Sequence, residues 1–143
     1  MQEITREKEI TQVVTSKVYV AFDGKEFDSV NACLEYEEDQ RREAALKRGD
    51  VEVFEYNGSY DITGSDYSEH DFLWVKPNTE DAVTALNEAY ESKWADMNFA
   101  VDAVTCVVMD GGEVIYTVTL DGLMNDVKWF FAQFGYDVQF IEK

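Results

Sequence analysis

The chain has 143 residues, of which 45% are hydrophobic and 14% aromatic, enough for one ordinary domain with a buried core. Thirty acidic against twelve basic side chains leave a formal net charge of −18, well beyond the ~2–8 that solubility asks of a small domain. Such a charge repels phosphates and therefore argues against direct binding to nucleic acid or to an anionic membrane.

The N-terminal segment predicts a strand followed by a tight hairpin. We expect residues 1–6 to be frayed, and the β-branched side chains of residues 10–22 to form a strand. Asp23-Gly24 indicates a type I′ turn, because both central positions of that turn need positive φ. Residues 25–27 would then form a short return arm.

A long charged helix follows this hairpin. Asp28 or Ser29 can cap it, and Gly49 is placed to close it just after Arg48. Its inward positions are predicted to be Val30, Cys33, Leu34 and Tyr36. Its charges fall into i, i+4 pairs of favourable order, which predicts a largely compensated, solvated face: Glu37 with Arg41, Glu38 with Arg42, and Glu43 with Lys47.

Residues 51–70 predict a second hairpin and a loop. Residues 51–56 alternate as a strand does, Asn57-Gly58 is a turn signal, and residues 59–63 can pair back. Residues 64–70 form a polar loop in this prediction.

The remaining chain predicts alternating strands and helices. A buried strand at residues 72–75 ends at Pro77, and Asn78 or Thr79 caps a helix. That helix carries one apolar stripe, made of Val83, Leu86, Tyr90, Trp94 and Met97.

Two further strands, residues 99–109 and 113–120, flank a hairpin at Asp110-Gly111-Gly112. A third helix begins at Asp121 and closes at Gly135, and residues 136–141 form a last strand. The inward side chains predicted for this helix are Leu123, Val127, Phe130, Phe131 and Phe134.

The predicted fold class is α+β. Residues 1–70 would form a ββαββ lobe, with a strand and hairpin, the long helix and a small hairpin. Residues 71–143 follow the order β-α-β-β-α-β of a ferredoxin-like lobe. We expect the two lobes to share one compact unit.

No motif in the chain predicts catalysis, so we expect no enzyme, no cofactor and no metal site. Cys33 and Cys106 stand apart without cationic partners and are predicted to be buried thiols. His70 is predicted to be an exposed loop histidine. The N-terminus has no apolar signal core, and no run approaches the ~20 residues of a membrane span. A cytoplasmic protein is therefore expected.

The negative charge is unevenly distributed along the chain. Residues 1–49 carry 11 acidic and 8 basic side chains, a net −3, whereas residues 50–143 carry 19 and 4, a net −15. Acidic side chains interleaved with aromatic ones after residue 50 can offer a basic groove both negative charge and stacking contact. The predicted partner-binding surface comprises Glu52, Glu55, Tyr56, Tyr60, Asp61, Asp66, Tyr67, Glu69, Asp71, Glu80, Asp81, Glu88 and Glu91.

The segment Tyr19–Glu37 resembles the opening of small acidic proteins from bacteriophages and mobile elements of Gram-positive bacteria. Their shared pattern is a strand, Asp-Gly, a Phe before the helix cap, and Cys-x-x-Tyr-Glu. The matching residues here are Asp23, Gly24, Phe27, Cys33, Tyr36 and Glu37. The resemblance implies a phage or mobile-element origin. It also implies a class of proteins that inhibit host defence nucleases, some of them as DNA mimics.

The leading hypothesis is therefore an anti-CRISPR or anti-restriction inhibitor whose acidic surface blocks the basic nucleic-acid channel of a host protein. One alternative is a structural or regulatory interaction module that dimerises through its sheet, so a homodimer is a further expectation. The other alternative is a carboxylate-dependent metal enzyme.

Overall fold

The computed structural model describes residues 1–9, 13–55 and 70–143. This part of the chain holds three helices and two antiparallel sheets, which confirms the α+β class. It divides into an N-terminal unit, residues 1–44, and a C-terminal unit, residues 45–143. The elements are β1 (Gln2–Glu9), β2 (Val13–Val20), β3 (Glu26–Phe27), α1 (Val30–Leu46), β4 (Val51–Phe54), β5 (Asp71–Pro77), α2 (Glu80–Ala89), β6 (Thr105–Asp110), β7 (Glu113–Thr119) and α3 (Leu120–Ala132).

The sheet of the N-terminal unit has the order β1-β2-β3. The first residues are not frayed, because β1 pairs with β2 over its whole length, from Gln2 opposite Val20 to Glu9 opposite Val13. An ion pair between Lys17 Nζ and Glu3 at 3.0 Å crosses the two strands. The prediction placed the strand start at Ile10, which lies outside the described residues.

A hairpin joins β2 to β3, as the Asp23-Gly24 signal predicts, but its turn is not of type I′. Gly24 has φ +91°, whereas Asp23 does not enter the left-handed region. The loop runs from Ala21 to Lys25 and is closed by a hydrogen bond of 2.9 Å, which the Ala21 N–H donates to the Lys25 carbonyl. Glu26 and Phe27 then pair with Val20 and Tyr19.

Tyr36 anchors α1 to this hairpin. Its hydroxyl donates to Asp23 Oδ2 at 2.6 Å, and its ring centroid lies 5.1 Å from that of Phe27. Lys25 Nζ lies 4.5 Å from the centre of the Tyr36 ring, within the range of a cation–π contact. Three residues of the shared pattern, Asp23, Phe27 and Tyr36, thus hold the helix to the hairpin by direct contacts.

The inward face of α1 differs from its prediction. Val30 and Leu34 are exposed, whereas Cys33 and Glu37, one turn apart, are fully buried. Glu37 was predicted on a solvated face, yet its carboxylate lies 3.8 Å from Cys33 Sγ, 3.1 Å from the Met1 ammonium and only loosely, at 4.0 Å, near Arg41. These polar and charged partners offset the free-energy cost of burying the Glu37 carboxylate.

The sheet of the C-terminal unit has the order β4-β5-β6-β7 and is covered on both faces. Side chains of β5 and β6 alternate between two cores. Leu73, Val75 and Val107 face α2, where Ala82, Leu86 and Ala89 are buried. On the opposite face the sheet packs against Leu123 of α3, through Phe72, Trp74, Cys106 and Val108.

A β-bulge at Ile115 lets β7 contribute to both cores. Tyr116 pairs with Val108 and Val114 pairs with Met109, which leaves Ile115 without a partner. The extra residue reverses the alternation, so Val114 joins the α2 core while Tyr116 packs on the α3 side. The Ser92 hydroxyl donates to the Val114 carbonyl at 2.7 Å and thereby ties the end of α2 to the bulge.

Ser92 also explains why α2 is shorter than predicted. Its Oγ accepts hydrogen bonds from the N–H groups of Trp94 and Ala95, so the chain turns after Tyr90 and Trp94 lies exposed rather than on the helical stripe. Thr79 caps the helix as predicted, accepting from the Ala82 N–H at 3.1 Å.

The strand predicted from Phe99 begins only at Thr105. Residues 99–104 are irregular, with Asp102 at φ +60° and its N–H donating to the Pro77 carbonyl at 2.7 Å. The hairpin after Asp110 forms as predicted, because Gly111 and Gly112 both take the positive φ of a type I′ turn.

The ferredoxin-like order predicted for residues 71–143 is not the observed one. A split β-α-β unit has another strand between its first two strands, whereas β5 and β6 pair directly and β4 takes the other edge of β5. Residues 136–141, predicted as the last strand, are not in a strand. Because β4 belongs to this sheet, the observed division lies between residues 44 and 45 instead of at 70.

Helix α3 ends in a Schellman motif that reverses the chain. Gly135, at φ +82°, donates to the Ala132 carbonyl, and the Tyr136 N–H donates to the Phe131 carbonyl, both at 3.1 Å. Gly135 therefore closes α3 as predicted. The predicted inward face is only partly correct: Leu123 is buried, but Phe130, Phe131 and Phe134 are exposed.

A core truncation tests this arrangement. Leu86 is fully buried between α2 and the sheet, so Leu86→Ala should lower the free energy of unfolding by about 3 kcal/mol in urea titrations followed by circular dichroism. Leu120→Ala, at an exposed position of the same unit, is the control and should cost about 1 kcal/mol or less. Equal losses in the two variants would contradict the α2 core.

Candidate partner-binding surface

The structure describes seven of the predicted partner-binding residues, and all seven are exposed: Glu52, Glu55, Asp71, Glu80, Asp81, Glu88 and Glu91. They do not form one surface. The sheet and α2 divide most of them between two ends of the C-terminal unit. The other predicted members lie outside the described residues: Tyr56, Tyr60, Asp61, Asp66, Tyr67 and Glu69.

One end gathers carboxylates around the β6–β7 hairpin. Asp71 begins β5 and pairs with Met109, which places it beside Asp110, and Asp110 pairs across the turn with Glu113. Glu91 joins them because its neighbour Ser92 is bonded to the carbonyl of Val114, the residue after Glu113. We call Asp71, Glu91, Asp110 and Glu113 the acidic end; Glu88 stands one turn earlier on the chain.

The acidic end is uncompensated within the described part of the chain. All four side chains are exposed, and no ion pair joins them to a basic side chain there. The nearest cation in sequence is Lys93, and the indole of Trp94, 73% exposed, follows it. Carboxylates and an accessible aromatic ring are thus presented together.

Sequence reasoning missed Asp110 and Glu113, which it treated only as the flanks of a turn. The available signal was the doubled charge around Gly111-Gly112, since a tight two-residue turn brings its flanking side chains opposite each other.

Glu55, another predicted member, directly follows β4 and lies between the two ends of the C-terminal unit.

The opposite end of the unit, which we call the paired end, holds two ion pairs. Glu52 Oε2 lies 3.5 Å from Lys76 Nζ, its cross-strand partner. Arg48 binds Asp50 through two hydrogen bonds of 2.8 and 2.9 Å. These bonds raise the Arg48 pKa, and the charge of Asp81 adds a smaller increase. Glu80 and Asp81 lie in the first turn of α2 at this paired end, where negative charge favours the helix dipole.

Asp50 connects the start of β4 to the start of α2. Besides Arg48, its carboxylate accepts a hydrogen bond from the Thr79 hydroxyl at 2.6 Å, and its carbonyl accepts from the Asn78 N–H at 2.8 Å. The Arg48 contacts, followed by that of Thr79, lower the Asp50 pKa from 3.8 to about 2. Asp50 is therefore a structural carboxylate rather than part of a binding surface.

Both cysteines are buried thiols, as predicted. Burial raises the pKa of Cys106 to about 12. Burial, together with the charge of Glu37, also raises the pKa of Cys33. At neutral pH both are protonated and therefore poor nucleophiles. His70 is half-buried rather than exposed.

The described residues contain neither a metal-binding cluster nor a membrane-spanning helix. No group of three or more His, Cys, Asp or Glu side chains in residues 1–9, 13–55 and 70–143 is arranged to hold a metal ion. None of the helices in that part of the chain has the length and apolar character needed to cross a membrane.

Comparison with protein-family models, with curated proteins and with solved structures finds no match to this chain.

The Asp50 contacts predict a specific acid sensitivity. Because the folded-state pKa lies below the usual one, the carboxylate stabilises the fold above pH ~4 and loses that effect as the pH falls toward about 2. The Tm difference between wild type and Asp50→Asn should therefore be largest near neutral pH and shrink across this window. Asp96→Asn, at an exposed position, is the control and should change Tm little at any pH. A difference for Asp50→Asn that stays constant down to pH ~2 would refute the assignment.

Proposed function

We propose that this protein is an inhibitor encoded by a phage or mobile element, directed against a nucleic-acid-binding defence protein of the host, of the CRISPR-effector or restriction-nuclease type. It acts through protein–protein contact, with its acidic surface occupying the basic channel that would otherwise hold DNA or RNA. It binds no nucleic acid itself.

The observation that carries this proposal is the acidic end, where Asp71, Glu91, Asp110 and Glu113 project without cationic partners among the described residues. Carboxylates left uncompensated at a surface repel one another. A partner that neutralises them relieves this repulsion, and a groove lined with Lys and Arg does so over its whole length.

The charge density supports the comparison with nucleic acid. A compact unit the length of residues 45–143 has a diameter of roughly 33 Å. Its 19 acidic and 6 basic side chains leave a net charge of −13, which corresponds to about one charge per 2.5 Å. Duplex DNA carries one charge per ~1.7 Å of its axis. At comparable density, the field attracts the same basic surfaces and accelerates encounter with them.

The position of Trp94 adds a second nucleic-acid-like property. Its backbone N–H is fixed by Ser92 at the acidic end, and its indole is exposed to solvent. Nucleic-acid channels contain aromatic and Arg side chains on which bases stack. An accessible indole beside carboxylates can use those same contacts.

The resemblance of residues 19–37 to phage and mobile-element proteins supports the proposed origin. Its residues hold α1 to the β2–β3 hairpin through Tyr36, Asp23 and Phe27. The pattern therefore describes a structural device of the N-terminal unit, and the partner-binding role falls to the C-terminal unit.

Matched charge variants test the proposal. The triple variant Glu91→Gln, Asp110→Asn, Glu113→Gln and the control Glu52→Gln, Glu80→Gln, Asp81→Asn each remove three negative charges, from the acidic end and the paired end respectively. Competition with a fluorescent DNA duplex for a purified CRISPR effector, and separately for a restriction nuclease, would be measured by anisotropy. The first variant should weaken inhibition by about tenfold or more, and the control by less than about threefold.

Salt provides the second arm of this experiment. Inhibition by the wild-type protein should weaken steeply as NaCl rises from about 50 to 500 mM, because screening acts on exposed charges. Inhibition that is independent of salt, or equal losses in the two triple variants, would show that the acidic end does not make the contact.

A further inference from the structure

An apolar surface lies on the second half of α3 and the segment after it. We call it the aromatic face, and it consists of Phe130, Phe131, Phe134, Tyr136 and Phe140. Phe134 and Tyr136 are each 66% exposed, although aromatic side chains of this size are normally buried on folding. Ile141, 85% exposed, follows Phe140 and extends this apolar surface.

The aromatic face is one ordered surface rather than a scatter of side chains. The Phe130 ring centroid lies 5.4 Å from those of both Phe131 and Phe134. The Schellman motif at Gly135 turns the following chain back, and Lys128 Nζ of α3 lies 5.5 Å from the Phe140 ring. The helix and the returning segment therefore present their aromatic side chains together.

The size of this surface matches one side of a protein–protein interface. Taking ~200 Å² for each large side chain, the exposed fractions of the five aromatic side chains and Ile141 amount to about 700 Å². Apolar patches on monomers are typically ~300–600 Å² at most. A standard interface buries about 800 Å² on each partner.

The charges around the aromatic face favour a second copy of this chain as the occupant. Residues 127–141 contain only Lys128 and Asp137 as charged side chains, and these have opposite signs. On a protein with a net charge of −18, a neutral apolar surface is where two copies repel each other least. A basic nucleic-acid channel, by contrast, complements carboxylates and offers no match to a neutral aromatic surface.

We propose that the chain forms a two-fold symmetric homodimer through the aromatic face of α3 and residues 136–141. In such a contact each face meets its own copy, so Lys128 and Asp137 supply both signs of charge to both sides. The inference does not rest on the proposed inhibitor function.

Sedimentation equilibrium of the full chain tests the dimer, over about 1–100 µM protein and at about 50 and 500 mM NaCl. The mass should approach twice 16.4 kDa, and the dimer should be tighter at the higher salt, because screening reduces repulsion between the two acidic chains. This dependence is opposite in sign to that expected for the acidic end, so the two proposals can fail independently.

Two exposed aromatic side chains of the same unit serve as test and control. Phe134, 66% exposed, lies on the aromatic face, and Trp94, 73% exposed, lies elsewhere. Phe134→Gln should weaken the dimer more than about tenfold, whereas Trp94→Gln should change it less than about twofold. Phe131→Gln provides a second test at the aromatic face, and unfolding curves would verify that each variant folds.

Three results would overturn the dimer through the aromatic face. The first is a wild-type protein that stays monomeric at the highest protein and salt concentrations. The second is a dimer that neither Phe134→Gln nor Phe131→Gln weakens, since this would place the contact elsewhere, for example on a sheet edge. The third is an equal weakening by Trp94→Gln.

Discussion

Burial of β5 and β6 on both faces is the constraint on which the C-terminal unit depends. Val107 and Val108 are neighbours on one strand, and each is fully buried in a different core. A sheet covered in this way has no room for charge in its middle, because an unpaired buried carboxylate costs several kcal/mol. The acidic side chains are therefore confined to strand ends, turns and the outer side of α2, and this confinement produces an acidic end instead of a uniform coating.

The sequence predicted those parts of the fold that local chemistry determines. Thr79 as a cap, Gly111-Gly112 as a turn and Gly135 as a helix terminator each act within a few residues of the chain. The pairing of β4 with β5 joins segments about twenty residues apart, and nothing in either segment specifies that partner. The ferredoxin-like order followed from reading elements in sequence without this pairing.

The candidate partner-binding surface could be predicted from the sequence only in part, for the same reason. Exposure of the carboxylates could be predicted from their chemistry, but their grouping depends on strand register and on the Ser92 hydrogen bond. The predicted burial was wrong for Glu37 and for Phe134, in opposite directions. The charged side chain of Glu37 is buried, and the aromatic side chain of Phe134 is exposed. Periodicity identifies the faces of a helix, and it does not identify which face another element will cover.

The bulge at Ile115 gives β7 an unequal tolerance of changes in chain length. Loss of Ile115 would leave a ladder of one-to-one pairs, with Val114 still opposite Met109 and Tyr116 still opposite Val108. Gain or loss of one residue between Tyr116 and Thr119 would instead move the apolar side chains of the strand to the other face of the sheet. Within the seven residues of β7, therefore, a one-residue deletion would be absorbed at Ile115 but would shift the strand's apolar side chains to the wrong face at the positions after Tyr116.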